Sequence, residues 1–179
     1  MYFGNLTEKE NIKLVISDFD GVFTDCTGIV DFCGNVSKRI NYQDVLAIAL
    51  LIRFGIKVAI ITGEHSGAVD YLKKKFPELD TFQDIKIKLP VVREYVSSLG
   101  LTGKNVLYVG DDVNDAEALM YSGVRVTVPN ANQMIKDIKN IIITEKSGGQ
   151  GVIREITDAL IGERIKMEFC NGELNEQVY

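Results

Sequence analysis

The chain has 179 residues, 46% of them hydrophobic and 25% charged, which suits one globular domain with a full core and excludes wholesale disorder. A net charge of −5 argues against a general nucleic-acid binder, because phosphate backbones attract basic surfaces. No run is long and apolar enough to cross a bilayer, so neither a membrane nor a nucleic-acid partner is expected.

The opening MYFGNLTEKENIK lacks a signal peptide's basic and apolar regions. Cys26, Cys33 and Cys170 show neither metal-ligand spacing nor an even set for disulfides. A reducing, cytoplasmic setting is the simplest expectation.

In chain order, residues 13–17 read as a buried strand running into Asp18-Phe19-Asp20-Gly21. Residues 27–42 hold an apolar pair, Ile29 and Val30, then a Gly34-Asn35 turn signal and a mixed run, which predicts an inserted β-hairpin. Apolar residues at helical spacing predict a helix over 43–54, stopped by Gly55. Residues 57–62 (KVAIIT) are a second buried strand, closed by Gly63. A helix over 66–75 precedes Pro77, a short strand falls at 81–82, and a helix over 88–99 stops at Gly100. Residues 105–109 (NVLYV) form a strand closed by Gly110. Helix over 114–122, strand over 124–128, short helix over 134–139, strand over 141–144 and a closing helix over 152–161 follow. The core is expected over about 12–161, with 162–179 a polar, loosely ordered tail of the same single domain.

This alternation implies right-handed βαβ units. The fold class is therefore α/β: a Rossmann-like, three-layer parallel sheet with a β-hairpin insertion.

Ligands in such sheets bind at the carboxyl ends of the strands. Three predicted strands end in SDFDG, ITGE and VGDDVND. Asp18 and Asp20, at i and i+2 of an extended strand, point to one side. With Asp111, Asp112 and Asp115 they make five carboxylates that would repel one another without a counter-ion. Magnesium, which prefers oxygen ligands and substrate phosphate, resolves the conflict. Carboxylates beyond those the metal needs suit a nucleophile or an acid/base. Each piece alone has a plainer reading, since acids and glycine make turns and Thr62 could cap a helix. All three in order make coincidence improbable.

The order DxDGxxTD, a strand ending in Thr-Gly, a lysine, then GDDxND resembles the haloacid dehalogenase superfamily of phosphotransferases, over about residues 14–160. The resemblance implies that Asp18 is the nucleophile, forming an aspartyl-phosphate, and that Asp20 is the general acid and later the base. It implies that Thr62 and the Gly63 amide bind the phosphoryl oxygens. Magnesium would be held by the Asp18 and Asp111 carboxylates and the Asp20 carbonyl, with Asp112 and Asp115 in support. The family's lysine lies in a segment like QGxxDKL. Here the chain reads Gln83-Asp84-Ile85-Lys86-Ile87-Lys88-Leu89, so Lys88 takes that place, Asp84 and Ile87 replace the glycine and aspartate, and Lys86 is the alternative.

Only a hairpin fits after the first motif and only a helix and short strand after the second, so no cap domain is expected. Among capless members the chain resembles the 3-deoxy-octulosonate 8-phosphate phosphatase group, which also holds nonulosonate 9-phosphate phosphatases and the C-terminal domain of some acylneuraminate cytidylyltransferases. The matching stretches are DGVFTD, GIKVAIITGE, YVGDDVND and GGQGVIREI. This implies a homotetramer whose hairpin reaches the neighbouring active site, with Arg154 contacting a sugar-acid carboxylate or forming a surface helix pair. Glu64, where octulosonate phosphatases carry arginine, points toward nonulosonate relatives, and His65 beside it could line the pocket. The expected function is hydrolysis of a 2-keto-3-deoxy sugar acid phosphate. The alternatives are the same chemistry on another phosphorylated sugar or a nucleotide, and a non-catalytic tetramerisation module.

Overall fold

The computed structural model describes residues 11–171. Its centre is a parallel six-stranded sheet of order β5-β4-β1-β6-β7-β8. The strands are β1 (Leu14–Ser17), β4 (Lys57–Ile61), β5 (Asp80–Phe82), β6 (Val106–Val109), β7 (Val124–Thr127) and β8 (Ile142–Ile143). The chain moves outward from β1 through β4 to β5, then returns to the other side of β1 as β6. That reversal places β1 and β6 at the switch point where such sheets bind ligands.

Strand alternation divides the core. Val15, Val58, Ile60, Leu107 and Val109 face one side, where α1 (Tyr42–Arg53) and α6 (Val152–Cys170) supply Ile48, Leu51, Ile153 and Ile156. Leu14, Ile16, Ala59, Ile61 and Tyr108 face the other. There α3 (Lys88–Ser98), α4 (Ala116–Tyr121) and α5 (Gln133–Lys136) supply Val92, Val96, Ala118, Leu119 and Ile135. Sheets covered on both faces carry near-continuous apolar strands, as β1, β4 and β6 do. Helix α2 (Gly67–Lys75) adds Val69 and Leu72 to the first layer.

The predicted hairpin is present as two short antiparallel strands, β2 (Ile29–Val30) and β3 (Val36–Ser37), with Gly34 at φ +85° in the turn. No cap domain intervenes among the described residues.

Two expectations need correction. The closing helix does not stop at 161 but continues to Cys170, because its polar-looking extension packs on α1. Arg164 lies 4.8 Å from the Phe54 ring centroid, and Arg53 Nη2 lies 3.1 Å from Glu168 Oε2. The helix expected over 114–122 is a 3-10 turn over Val113–Asp115 followed by α4, since Asp115 turns inward to bind the preceding loop. Residues 172–179 of the expected tail, and 1–10 of the opening segment, lie outside the described residues.

Candidate active site

Register brings the three motifs together. Ser17 pairs with both Ile60 and Val109, so the next residues of β1, β4 and β6 emerge side by side. The Asp18 amide donates to Val109 O (2.9 Å). Gly21, at φ +84°, lies under Asp111: a Cβ there would sit 2.0 Å from Asp111 Oδ2. The glycine thus lets the acidic loop close over the first motif.

Lys88 is a buried charge at the heart of the site. It opens α3 and is 1% exposed. Its Nζ lies 2.9 Å from Asp18 Oδ2 and donates to Asp115 Oδ1 (2.7 Å). Asp115 is fully buried and accepts four hydrogen bonds. Oδ1 takes the Lys88 ammonium and the Tyr108 hydroxyl (2.7 Å), and Oδ2 takes the amides of Asp111 (3.2 Å) and Asp112 (3.3 Å). It therefore acts as a brace for the lysine and the loop.

One oxygen each of Asp18, Asp111 and Asp115 lies within 4.8 Å of the others, all buried. Burial, then the Asp115 charge, pushes Asp18 up to about 8 against the opposing pull of Lys88. Burial, then Asp115 and Asp112, pushes Asp111 up to about 7. For Lys88, burial favours the neutral form, but Asp115 and Asp18 outweigh it and the ammonium is held. Three carboxylates face one ammonium, so the chain alone does not balance its charge. A hard divalent cation fits this donor set: Asp115 is saturated, Asp18 accepts from Phe19 N (2.6 Å) and faces Lys88 with its second oxygen but keeps lone pairs on both, and the Asp111 carboxylate is the least committed of the three.

Asp20 emerges on the outer side and turns its carboxylate away from that cluster. Oδ2 accepts from Lys38 Nζ of the hairpin (2.6 Å) and Oδ1 from Thr24 Oγ1 (3.1 Å). With its carboxylate so engaged, Asp20 can serve a metal only through its backbone carbonyl. Thr62 is buried after β4, where its amide donates to Phe82 O and its carbonyl accepts from Ile85 N (2.9 and 3.0 Å). Gly63 faces Asn114 and Lys86, and a Cβ there would lie 3.9 Å from each. Asp112 caps the turn through Val113 N (2.8 Å).

Other predicted residues lie at the rim. Glu64 is exposed and paired with Lys86, whose hydrogen bond and charge lower its carboxyl. This pairing sets Lys86 apart from Lys88 and gives it no contact with Asp18. His65 pairs with Asp70 (3.2 Å) on the surface. Arg154 Nε pairs with Asp158 one turn on (2.9 Å), a surface helix pair.

Asp84, where the family pattern has glycine, sits at φ +61°. Aspartate tolerates this left-handed region better than most residues, so the loop still delivers Lys88. Three contributors were missed. Thr24 lies inside DGVFTD without a role of its own, Lys38 lies in the hairpin's mixed run, and Tyr108 reads as strand filler. The tyrosine hydroxyl amid β-strand aliphatics was the one available signal.

A family model described as haloacid dehalogenase-like hydrolase matches residues 79–156. The 3-deoxy-D-manno-octulosonate 8-phosphate phosphatase KdsC of Salmonella typhi is 30% identical over 168 residues, covering 94% of this chain and 89% of the relative. That of Yersinia pestis is 30% identical over 162 residues, covering 90% and 86%. Among solved structures, the Moraxella catarrhalis phosphatase of that name, in complex with a magnesium ion, a phosphate ion and KDO, matches with a TM-score of 0.85 at 28% identity, covering 94% and 96%. The cobalt-bound Haemophilus influenzae phosphatase matches with a TM-score of 0.85 at 27% identity, covering 94% and 100%.

Fold and site together define a phosphoric monoester hydrolase of the haloacid dehalogenase type. Within that superfamily the chain belongs to the family of the 3-deoxy-D-manno-octulosonate 8-phosphate phosphatases.

Proposed function

We propose that this chain is a magnesium-dependent phosphatase of a 2-keto-3-deoxy sugar acid phosphate, either an octulosonate 8-phosphate or a nonulosonate 9-phosphate. The observation that carries this is the Asp18–Lys88–Asp115 arrangement, with Asp111 alongside in a charge deficit that one divalent cation cancels. Asp18, Asp111 and the Asp20 carbonyl would hold magnesium, which when bound polarises the phosphoryl group and neutralises its charge.

Asp18 attacks phosphorus to form an aspartyl-phosphate while Lys88 offsets charge on the phosphoryl oxygens. Asp20 gives its proton to the departing alkoxide, then takes one from the water that cleaves the acyl phosphate. Thr62 and the Gly63 amide hold the phosphoryl oxygens, and Asp115 and Asp112 brace the loop.

Relatives named for the octulosonate substrate favour the eight-carbon acid, whereas Glu64 favours the nine-carbon one. Arg154, at the opening of α6, would leave Asp158 to meet the substrate carboxylate. Exposed Ile29, Val30, Phe32 and Val36 on the hairpin support docking on a neighbouring copy within a homotetramer, and sedimentation of the purified chain at the mass of four copies would bear this out while a monomer would overturn it.

A panel of sugar phosphates assayed for phosphate release with magnesium tests the assignment. Preferred turnover of either keto acid phosphate supports it. Preference for a neutral sugar phosphate or a nucleotide overturns the substrate class, and no turnover of any ester overturns the activity.

A further inference from the structure

Both oxygens of Asp20 are held, and one holder comes from the hairpin. Lys38 Nζ lies 2.6 Å from Asp20 Oδ2, its side chain 16% exposed, and it sits 5.8 Å from the Phe19 ring centroid. A flexible lysine kept this far from bulk water, over an aromatic face, has a defined position. Lys38 also helps lower the Glu64 carboxyl, behind the larger effect of Lys86. Its ammonium thus stands where the hairpin, the first motif and the second motif meet.

Beside it opens a cleft of about 340 Å³ between β3 and the start of α2. Val36, Ser37 and Lys38 form one wall and His65, Ser66 and Ala68 the other. That volume falls in the range of small-molecule sites, on the order of 300–1,000 Å³. Lys38, part of the cleft wall, joins it to Asp20, the group read as the proton donor to the leaving oxygen. The cleft therefore lies on the leaving-group side.

We propose that Lys38 is a positioning residue for Asp20 and that the cleft beside it receives the leaving group, the polar sugar-acid end of the substrate. This rests on the phosphatase reading above. As the Asp18–phosphorus bond forms and the bond from phosphorus to the leaving oxygen breaks, Asp20 transfers its proton to that oxygen. The carboxylate left behind faces the Lys38 ammonium, which fixes its direction for the return proton from water. The ammonium carries three donors. One serves Asp20, and the others suit the hydroxyl and carboxylate oxygens of a sugar acid.

The test compares Lys38→Met and Lys38→Arg with the unaltered chain, with magnesium, on two substrates. One is whichever of octulosonate 8-phosphate and nonulosonate 9-phosphate is turned over better. The other is 4-nitrophenyl phosphate, whose phenolate departs without a proton donor and carries no sugar end. Lys38→Met is expected to lower kcat/KM for the sugar acid phosphate at least about tenfold more than for the aryl phosphate, on the scale of acid–base assistance. Lys38→Arg is expected to recover part of the difference.

Equal losses on both substrates, or none on either, overturn the positioning role. A second variant, Ala68→Trp, fills the cleft away from Asp20 and is expected to raise KM for the sugar acid phosphate about tenfold or more, the scale of a lost pocket contact. An unchanged KM overturns the leaving-group assignment. If the unaltered chain hydrolyses neither substrate, the phosphatase reading fails first, and this proposal with it.

Discussion

Lys88 holds together two buried carboxylates that would otherwise face each other, and it does so from a position with no exposure to water. Its replacement leaves Asp18 and Asp115 uncompensated. Removing one member of a buried ion pair costs roughly 3–5 kcal/mol, so Lys88→Met is expected to lower unfolding stability by about that amount in metal-free buffer. Magnesium binds the folded chain only and should return part of the loss. Denaturant unfolding with and without the ion reads both. No destabilisation would mean that the lysine is not the counter-charge.

Asp44 makes a second residue-scale case, away from the site. Helix α6 has Gly151 at its N-cap, with no side chain to cap it, and Asp44 of α1 supplies the acceptor for Arg154 N (2.9 Å). Its Oδ2 is buried without a hydrogen-bond partner among the described residues. Burial raises the carboxyl to about 6, against the hydrogen bonds of Arg154, Ile153 and Gly151. The folded chain therefore holds this proton more tightly than the unfolded chain, whose aspartate titrates near 4.

The stability from that proton is full below pH 4 and lost as pH rises to about 6. Asp44→Asn, neutral throughout, should gain on the unaltered chain by roughly 1–3 kcal/mol between pH 4 and 7. Thermal unfolding across that range decides it, and a constant difference would contradict the shift. Asp44→Ala, which removes the cap itself, should cost about 1–2 kcal/mol at pH 4.

Among the elements, α3 carries the clearest defect. Ile87 occupies its N-cap, 71% exposed, with no side-chain hydrogen bond to the first turn. The family pattern places aspartate there. Ile87→Asp should stabilise the chain by roughly 0.5–2 kcal/mol through the free amides of that turn, read as a rise in Tm. An unchanged or lower Tm would mean that the first turn is already satisfied.

The elements also show where sequence reading succeeds and stops. Strands β1, β4 and β6 were legible because uninterrupted apolar runs ended at motif residues: Asp18, Thr62-Gly63 and Gly110. The extension of α6 was not, because Arg164 and Glu168 read as solvent-facing charges until Phe54 and Arg53 of α1 are placed beside them. Lys38 was missed for the same reason: its contact with Asp20 spans 18 residues and depends on how the hairpin folds back.

At the scale of the molecule, the site exists because β1 lies between β4 and β6 in register. The motif order in the sequence foretold which groups would meet, and a parallel sheet foretold at which edge. The division of labour within the acidic group was beyond it. Asp115 carries the same carboxylate as Asp111, yet its four donors make it a brace while Asp111 keeps oxygens free. Side-chain direction at the end of a 3-10 turn settles that difference, and residue type alone does not.

The most direct measurement is phosphate release from a keto sugar acid phosphate by the unaltered chain and by Asp18→Asn, each with magnesium and with a chelator. Turnover is expected only for the unaltered chain with magnesium. Loss of the nucleophile should cost at least about three orders of magnitude in kcat, with the Asp18→Asn fold intact. Undiminished release by Asp18→Asn, or by the unaltered chain under chelation, would contradict this mechanism.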